Sequence, residues 1–292
     1  YVYIHSNIQG TTRLMELSAK YNIKNFVFAS SSSVYGGSKS SFFSEEDIVD
    51  NPVSPYAASK KACELLAYTY HHLYNLNISA LRFFTVYGPR GRPDMAPFKF
   101  IDRVSRGVEI QQFGDGSSSR DYTYISDIVD GIVRAIDRPH AYQVFNLGKG
   151  SATSLAKVEN LGKGSATSLA KVFNLGKGSG TSLKEFIDLV QKHTGRKAVI
   201  KVMPDQPGDV PYTCADVSKA QKLLGYKSKV PFEEGIRLTA KWYKESYSKQ
   251  VTAAGFQLKG TGWYVTDFRG NGSAPAAKAA DASAPAATPS AA

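Results

Sequence analysis

Cys63 and Cys214 are the only cysteines in 292 residues, and neither stands in a CxxC pair or at the spacing of a Cys/His ligand set. That excludes a disulfide framework and a structural zinc site, so the expectation is a reducing, cytoplasmic compartment and no metal. The five histidines give no ligand pattern either: His71 and His72 are adjacent, while His5, His140 and His193 are scattered. No apolar run approaches the length that spans a bilayer, and residues 1–20 lack a signal-peptide profile. The net charge is +11, yet no basic block or RNA-binding motif concentrates it. Nucleic acid is therefore not an expected partner, whereas a small anionic substrate suits the balance. A nucleotide phosphate loop is also missing. The strand–turn–helix stretch "VFNLGKGSATS" comes near a dinucleotide fingerprint, but Thr153 stands where that motif needs a small third residue, and no GK[ST] loop occurs.

What is present is a pattern of alternating helices and strands. "YIHSNIQGTTRLMELSAKYNI" reads as a helix under way from the first residue, and "KNFVFAS" as a short buried strand ending in serines. A serine and glycine loop follows, then a helix from Tyr56 to about Tyr74 and the strand "ISALRFF". Such alternation predicts a parallel sheet covered on both faces, with ligands beyond the carboxyl ends of its strands. Ser30 to Ser33 and Thr85 to Gly88 stand at two such ends. Further on the pattern predicts a helix near 98–107, the turn "FGDGSSSR", the strand "DYTYI", a helix from Asp127 to Ile136, and a helix opened by a Ser182/Glu185 capping box. The strand "AVIKVMP" and a helix from Phe232 to about Tyr247 complete a smaller second region.

Two tyrosines have a lysine four residues on, Tyr35/Lys39 and Tyr56/Lys60. Gly36 and Gly37 follow Tyr35 and weaken any helix, so that pair has no reason to share a face. In "SPYAASKKACELL", by contrast, Ser54 can cap a helix, Pro55 suits its first position, and the alanines, lysines and leucines continue it. Tyr56 and Lys60 should therefore lie together.

The ordered motifs "SNIQGT", "FVFASSSSVYG", "SPYAASK", "LRFFTVYGPRGRPDM", "RDYTYISDI", "FNLG" and "QPGDVPYTCADVSKAQKLLGY" resemble the extended short-chain dehydrogenase/reductase (NAD-dependent epimerase/dehydratase) family, and within it the UDP-glucuronate 4-epimerases. The resemblance covers Tyr1 to about Tyr247 apart from a duplicated segment. It implies transient oxidation at sugar C4 with NAD as cofactor and a UDP-sugar as substrate. Tyr56 would be the base. A free tyrosine titrates near pH 10, so it needs a neighbouring ammonium, which Lys60 would supply while also gripping the nicotinamide ribose. Ser31 matches the triad serine, with Ser32 and Ser33 one and two residues away. Asn7, Ala29 and Phe83, together with Tyr56 and Lys60, match positions lining NAD.

On the substrate side the resemblance implies contacts from Ser32, Ser33, Thr85, Arg92, Arg120 and Asp209. Sugar dehydratases of the superfamily place Asp and Glu just after the triad residue, and UDP-glucuronate decarboxylases place Glu before "VYG"; here Ser32 and Ser33 take those places, which points to epimerisation. Arg92 would face the sugar carboxylate as a paired, charge-assisted contact. Arg120 would bind the diphosphate, and Asp209 the ribose end. The plain alternatives are a solvated loop charge for Arg92 and a domain-tying ion pair for Arg120. A homodimer through the helices of Asn7 and Tyr56 is implied for a complete protein.

Several features depart from that family. Its first strand and glycine-rich turn do not precede Tyr1, so the expectation is a fragment inactive alone. A 14-residue period, "FNLGKGSATSLAKV", "ENLGKGSATSLAKV" and "FNLGKGSGTSL", spans 145–183 and reads as a local tandem duplication. The Ala/Pro/Ser-rich end should be disordered, and "AAGFQLKGTGWYVTDFRGNG" before it resembles a zinc-ribbon regulatory-protein family of the FmdB type. The expected architecture is thus α/β: a partial Rossmann-like parallel sheet in 1–85, a nucleotide-sugar region in 86–250, and a foreign tail in 251–292. The expected activity is UDP-glucuronate to UDP-galacturonate epimerisation. The rivals are a UDP-galactose-type or other epimerase/dehydratase and a non-catalytic chimeric scaffold or nucleic-acid-binding regulator.

Overall fold

The computed structural model describes residues 2–38, 40, 42–150, 180–205 and 212–248. Its centre is a three-stranded parallel sheet in the order β1-β2-β7, formed by β1 (Phe26–Ser31), β2 (Ile78–Phe83) and β7 (Tyr142–Leu147). The register sets Ser31 beside Phe83 and Phe83 beside Leu147, so all three strands end at one level. The third strand comes from the stretch expected to bind nucleotide-sugar. Its buried Phe145 and Leu147 belong to the same core as Leu81, which is why it joins the sheet.

Helix α1 (Gly10–Lys20), entered through a π-helical turn at Ile4–Gln9, and α2 (Pro55–Tyr74) cover one face. Met15, Ala67 and Ile78 are buried between them and the sheet. Helix α2 starts and stops as its sequence dictates: the Ser54 hydroxyl accepts the Ala57 N–H, Pro55 occupies the first turn, and Asn75 ends it in the left-handed conformation. The other face carries α4 (Ile125–Asp137). Gly131 lets it approach β7, because a Cβ there would lie 2.7 Å from the Leu147 side chain. A further helix on this side, α6 (Ser218–Leu224), is not visible in the sequence pattern. The serine loop after β1 likewise hides a 3-10 turn, Ser32–Tyr35.

Among its described residues, the smaller region holds three two-stranded sheets. In these, β3 (Thr85–Tyr87) pairs in parallel with β6 (Tyr122–Tyr124), β4 (Ile110–Phe113) in parallel with β9 (Ile200–Met203), and β5 (Ser119–Arg120) antiparallel with β8 (Thr181–Ser182). Helices α3 (Ala96–Arg106), α5 (Leu183–Thr194) and α7 (Phe232–Trp242) close over an aromatic core in which Phe100 stacks on Phe186 with centroids 5.3 Å apart. The head of the first repeat copy, Phe145–Gly150, supplies the end of β7, and the tail of the last, from Gly180, supplies β8 and the start of α5. Most of the repeat, the tail 251–292 with its zinc-ribbon resemblance, and Asp209 lie outside the described residues.

Candidate active site

The first turn of α2 brings Tyr56 and Lys60 to the carboxyl end of β1. The Lys60 ammonium lies 5.7 Å from the Tyr56 ring centroid and donates to the Ala29 carbonyl at 3.0 Å. This is the face-sharing that four-residue spacing on a capped helix requires. Tyr56 is also packed edge-on by Tyr3, with centroids 5.6 Å apart. Asn7 fixes the same turn: its amide donates to the Ser59 hydroxyl at 2.9 Å, and Ser59 donates to the Tyr56 carbonyl at 2.7 Å. The Cys63 thiol, one turn on, donates to the Asn7 carbonyl at 3.4 Å. At the strand end Ser31 accepts the Ser33 N–H at 3.1 Å and donates to the Ser33 hydroxyl at 3.0 Å. Thus Asn7, Ala29, Ser31, Tyr56 and Lys60 gather around α2 and the end of β1, with Phe83 level with Ser31 on β2.

Burial pulls the Lys60 pKa below the ordinary lysine value. The fold therefore opposes its charge, and this cost is fully present below the folded pKa. It is relieved as pH rises past that value towards the unfolded one. Lys60→Met is accordingly expected to raise the thermal midpoint at neutral pH, with the gain shrinking as pH rises towards about 10 and gone above it. Melting curves of both proteins across that range, read by circular dichroism, check it; a lower midpoint for the variant at neutral pH would contradict it.

The expected substrate residues lie on several elements, of which those of Thr85 and Arg120 are brought together. The Thr85 N–H donates to the Asp121 carbonyl at 3.0 Å, next to Arg120 on β5. Arg120 donates to the Ser119 carbonyl at 3.1 Å and stands opposite Thr181. Ser32 and Ser33 are half-buried in the turn after Ser31. Arg92 lies on the loop after β3, where its guanidinium forks onto the Asp94 carboxylate, with Nε to Oδ1 at 3.1 Å.

Two further elements were not singled out from the sequence. Asp121 is buried and its carboxylate accepts from the N–H groups of Lys149, Gly150 and Ala215 and from the Thr123 hydroxyl. It thereby ties the strand next to Arg120 to the "FNLGKG" turn, and Gly148 must be glycine, since a Cβ there would lie 2.5 Å from that of Ala215. The other element is the Glu64–Arg82 ion pair, both side chains almost wholly buried. Glu64 accepts from Arg82 Nε at 2.9 Å and Nη2 at 2.8 Å. Burial works against the Arg82 charge, but Glu64 and Tyr35 outweigh it and raise its pKa. A charged residue inside the apolar strand "ISALRFF" and a glutamate one turn beyond Lys60 were the available signals. Among the described residues, no three His, Cys, Asp or Glu side chains gather as a metal site, and no helix is long and apolar enough to cross a membrane.

A parallel sheet whose strand ends carry a serine, and a flanking helix that presents a tyrosine and a lysine, define a Rossmann-like enzyme built for proton transfer beside a nicotinamide cofactor. Residues 1–148 match the NAD dependent epimerase/dehydratase family, and the chain belongs to that family. It is 41% identical over 246 residues to a UDP-glucuronate 4-epimerase of Thermodesulfobacterium geofontis, spanning 84% of this chain and 67% of that protein. To a probable UDP-glucuronate 4-epimerase of Rhizobium meliloti it is 38% identical over 269 residues, spanning 86% and 71%. Among solved structures, MoeE5 in complex with UDP-glucuronic acid and NAD superposes with a TM-score of 0.70 at 32% identity, covering 83% of this chain and 72% of that one. The UDP-glucuronic acid 4-epimerase of Bacillus cereus with UDP-glucuronic acid and NAD gives 0.69 at 31% identity, covering 82% and 68%.

The residues at the strand ends fit the nicotinamide end of NAD: a half-buried ammonium held at a strand carbonyl, a serine pair, and an anchored asparagine. No glycine-rich G-x-G-x-x-G/A turn occurs in residues 1–292.

Proposed function

We propose that this chain carries the catalytic residues of an NAD-dependent UDP-glucuronate 4-epimerase, which interconverts UDP-glucuronate and UDP-galacturonate. The observation that carries this reading is the Lys60 ammonium seated on the Ala29 carbonyl with the Tyr56 ring beside it, at the end of the strand that bears Ser31. Tyr56, as phenolate, takes the proton of the sugar C4 hydroxyl, and the phenol returns it when the opposite configuration forms. Lys60 favours the anionic phenol by its charge, and Ser31 holds the reacting oxygen through a hydrogen bond. Hydride exchange at C4 is the chemistry that NAD would supply when bound. Asn7, Ala29, Lys60 and Phe83 would line its nicotinamide end.

Ser32 and Ser33 bring no acid to the site, which supports epimerisation over elimination or decarboxylation. For the substrate, Thr85 and Arg92 would meet the sugar and its carboxylate, and Arg120 the diphosphate, with Asp209 assigned to the ribose end on sequence resemblance alone. A homodimer belongs to the same proposal. Leu14 and Leu17 on α1, Tyr21 just beyond its end, and Leu65, Tyr68 and Leu73 on α2 are exposed apolar residues on neighbouring helices. A cytoplasmic location suits two cysteines that are both free thiols.

The test is product analysis after incubating the NAD-loaded enzyme with UDP-glucuronate and, separately, with UDP-galactose. Arg92→Leu is expected to lower kcat/KM for the uronate by about 10–100-fold, the worth of a charge-assisted pair, and to spare the neutral sugar. Equal loss on both sugars would assign Arg92 a structural role, and conversion of UDP-galactose alone would favour the rival epimerase.

A further inference from the structure

The buried polar residues between the sheet and the catalytic helix converge on one guanidinium. Arg82, in β2, sends Nε and Nη2 to the two oxygens of Glu64 on α2, and Nη1 to the Tyr35 hydroxyl at 3.0 Å. Its guanidinium carbon also lies 4.8 Å from the Tyr35 ring centroid. Glu64 is one turn beyond Lys60 and two beyond Tyr56, and it accepts the Ser30 hydroxyl at 2.6 Å, next to Ser31. Tyr35 ends the 3-10 turn that carries Ser32 and Ser33, and its hydroxyl donates to Asn146 on β7 at 2.7 Å. One side chain therefore holds the helix of Tyr56 and Lys60 and the serine turn in a single frame.

Burying such a pair is a poor way to gain stability, because desolvation offsets most of the attraction and an apolar replacement is often as stable. What three coplanar donors supply is geometry, since a guanidinium fixes two acceptors in direction as well as distance. We propose that Arg82, acting through Glu64 and Tyr35, is the positioning residue that sets Tyr56 and Lys60 against Ser31. The proposal rests on the epimerase reading for its kinetic consequence, and on the Lys60–Ala29 contact for its geometric one.

The deciding variant replaces both partners, Arg82→Met with Glu64→Met, so that no lone charge is left inside. In the purified chain, the Lys60 ammonium is followed by NMR of nitrogen-labelled lysine, with Lys60→Met identifying its signal. The slowly exchanging signal of an ammonium held by Ala29 is expected in the unaltered chain and lost in the double variant; a retained signal overturns the proposal. In the NAD-loaded enzyme, the double variant is expected to turn over UDP-glucuronate about 10–100-fold more slowly with KM unchanged, the penalty of a misplaced reacting group. A purely structural role would instead lower the folded fraction and leave kcat per folded molecule alone, which would equally overturn the proposal. If the double variant does not fold, Glu64→Gln keeps shape while weakening the grip, and unchanged kcat and ammonium exchange in it refute positioning. Failure of the unaltered enzyme to convert UDP-glucuronate would sink the epimerase reading, while the ammonium signal still decides the role of Arg82.

Discussion

Tyr56→Phe is expected to lower kcat for epimerisation by about 10²–10⁴-fold, the range in which a positioned proton-transfer group contributes. KM should stay near the unaltered value. The phenyl ring keeps its edge contact with Tyr3 and its place over the Lys60 ammonium, so only the hydroxyl is removed. Tyr35, the alternative suggested by spacing, is buried with its hydroxyl between Arg82 and Asn146, and burial raises its pKa well above the ordinary tyrosine value. Steady-state assays with the products separated by chromatography measure the loss, and a variant within a few-fold of normal turnover would remove Tyr56 from the mechanism.

A second large effect concerns stability. Glu64→Leu alone leaves the Arg82 guanidinium, 2% exposed, facing an apolar side chain, and also strips the Ser30 hydroxyl of its acceptor. Removing one partner of a buried pair typically costs about 3–5 kcal/mol, because the remaining charge is neither solvated nor paired. For a domain of this size that lowers the thermal midpoint by roughly 10 °C. Replacing both partners with methionine should recover most of that loss. Thermal melts of the single and double variants decide: equal loss in both would mean that the pair stabilises the fold in its own right.

The parts of this protein visible in its sequence are those set by neighbours a few residues apart. Ser54, Pro55 and the alanines after Tyr56 specify a helix start, and the first turn of that helix delivers Tyr56 and Lys60 together. Ser182 with Glu185 likewise opened a helix that Gly195 closes in the left-handed conformation. The strands "FVFAS" and "ISALRFF" were visible as apolar runs between polar clusters. The short strands β3 and β4 and helix α6 were not, because three or four strand residues, or two turns of helix, are too short to carry a period. Asp94 on the Arg92 fork was adjacent in sequence, yet nothing in spacing says which carboxylate a loop arginine will take.

By itself, then, the chain specified its longer helices, its parallel-sheet class, and the proximity of a phenol to an ammonium, all of which follow from backbone periodicity and caps. Only the tertiary structure seated Lys60 on the Ala29 carbonyl, recruited β7 to the sheet, and closed Glu64, Arg82, Tyr35 and Asn146 into one buried network. The reason is physical. A polar group taken out of water must find its partner wherever packing places one; Arg82 finds Glu64 on a helix and Tyr35 on a turn, and Tyr35 in turn finds Asn146 on a neighbouring strand, groups that only the tertiary fold aligns.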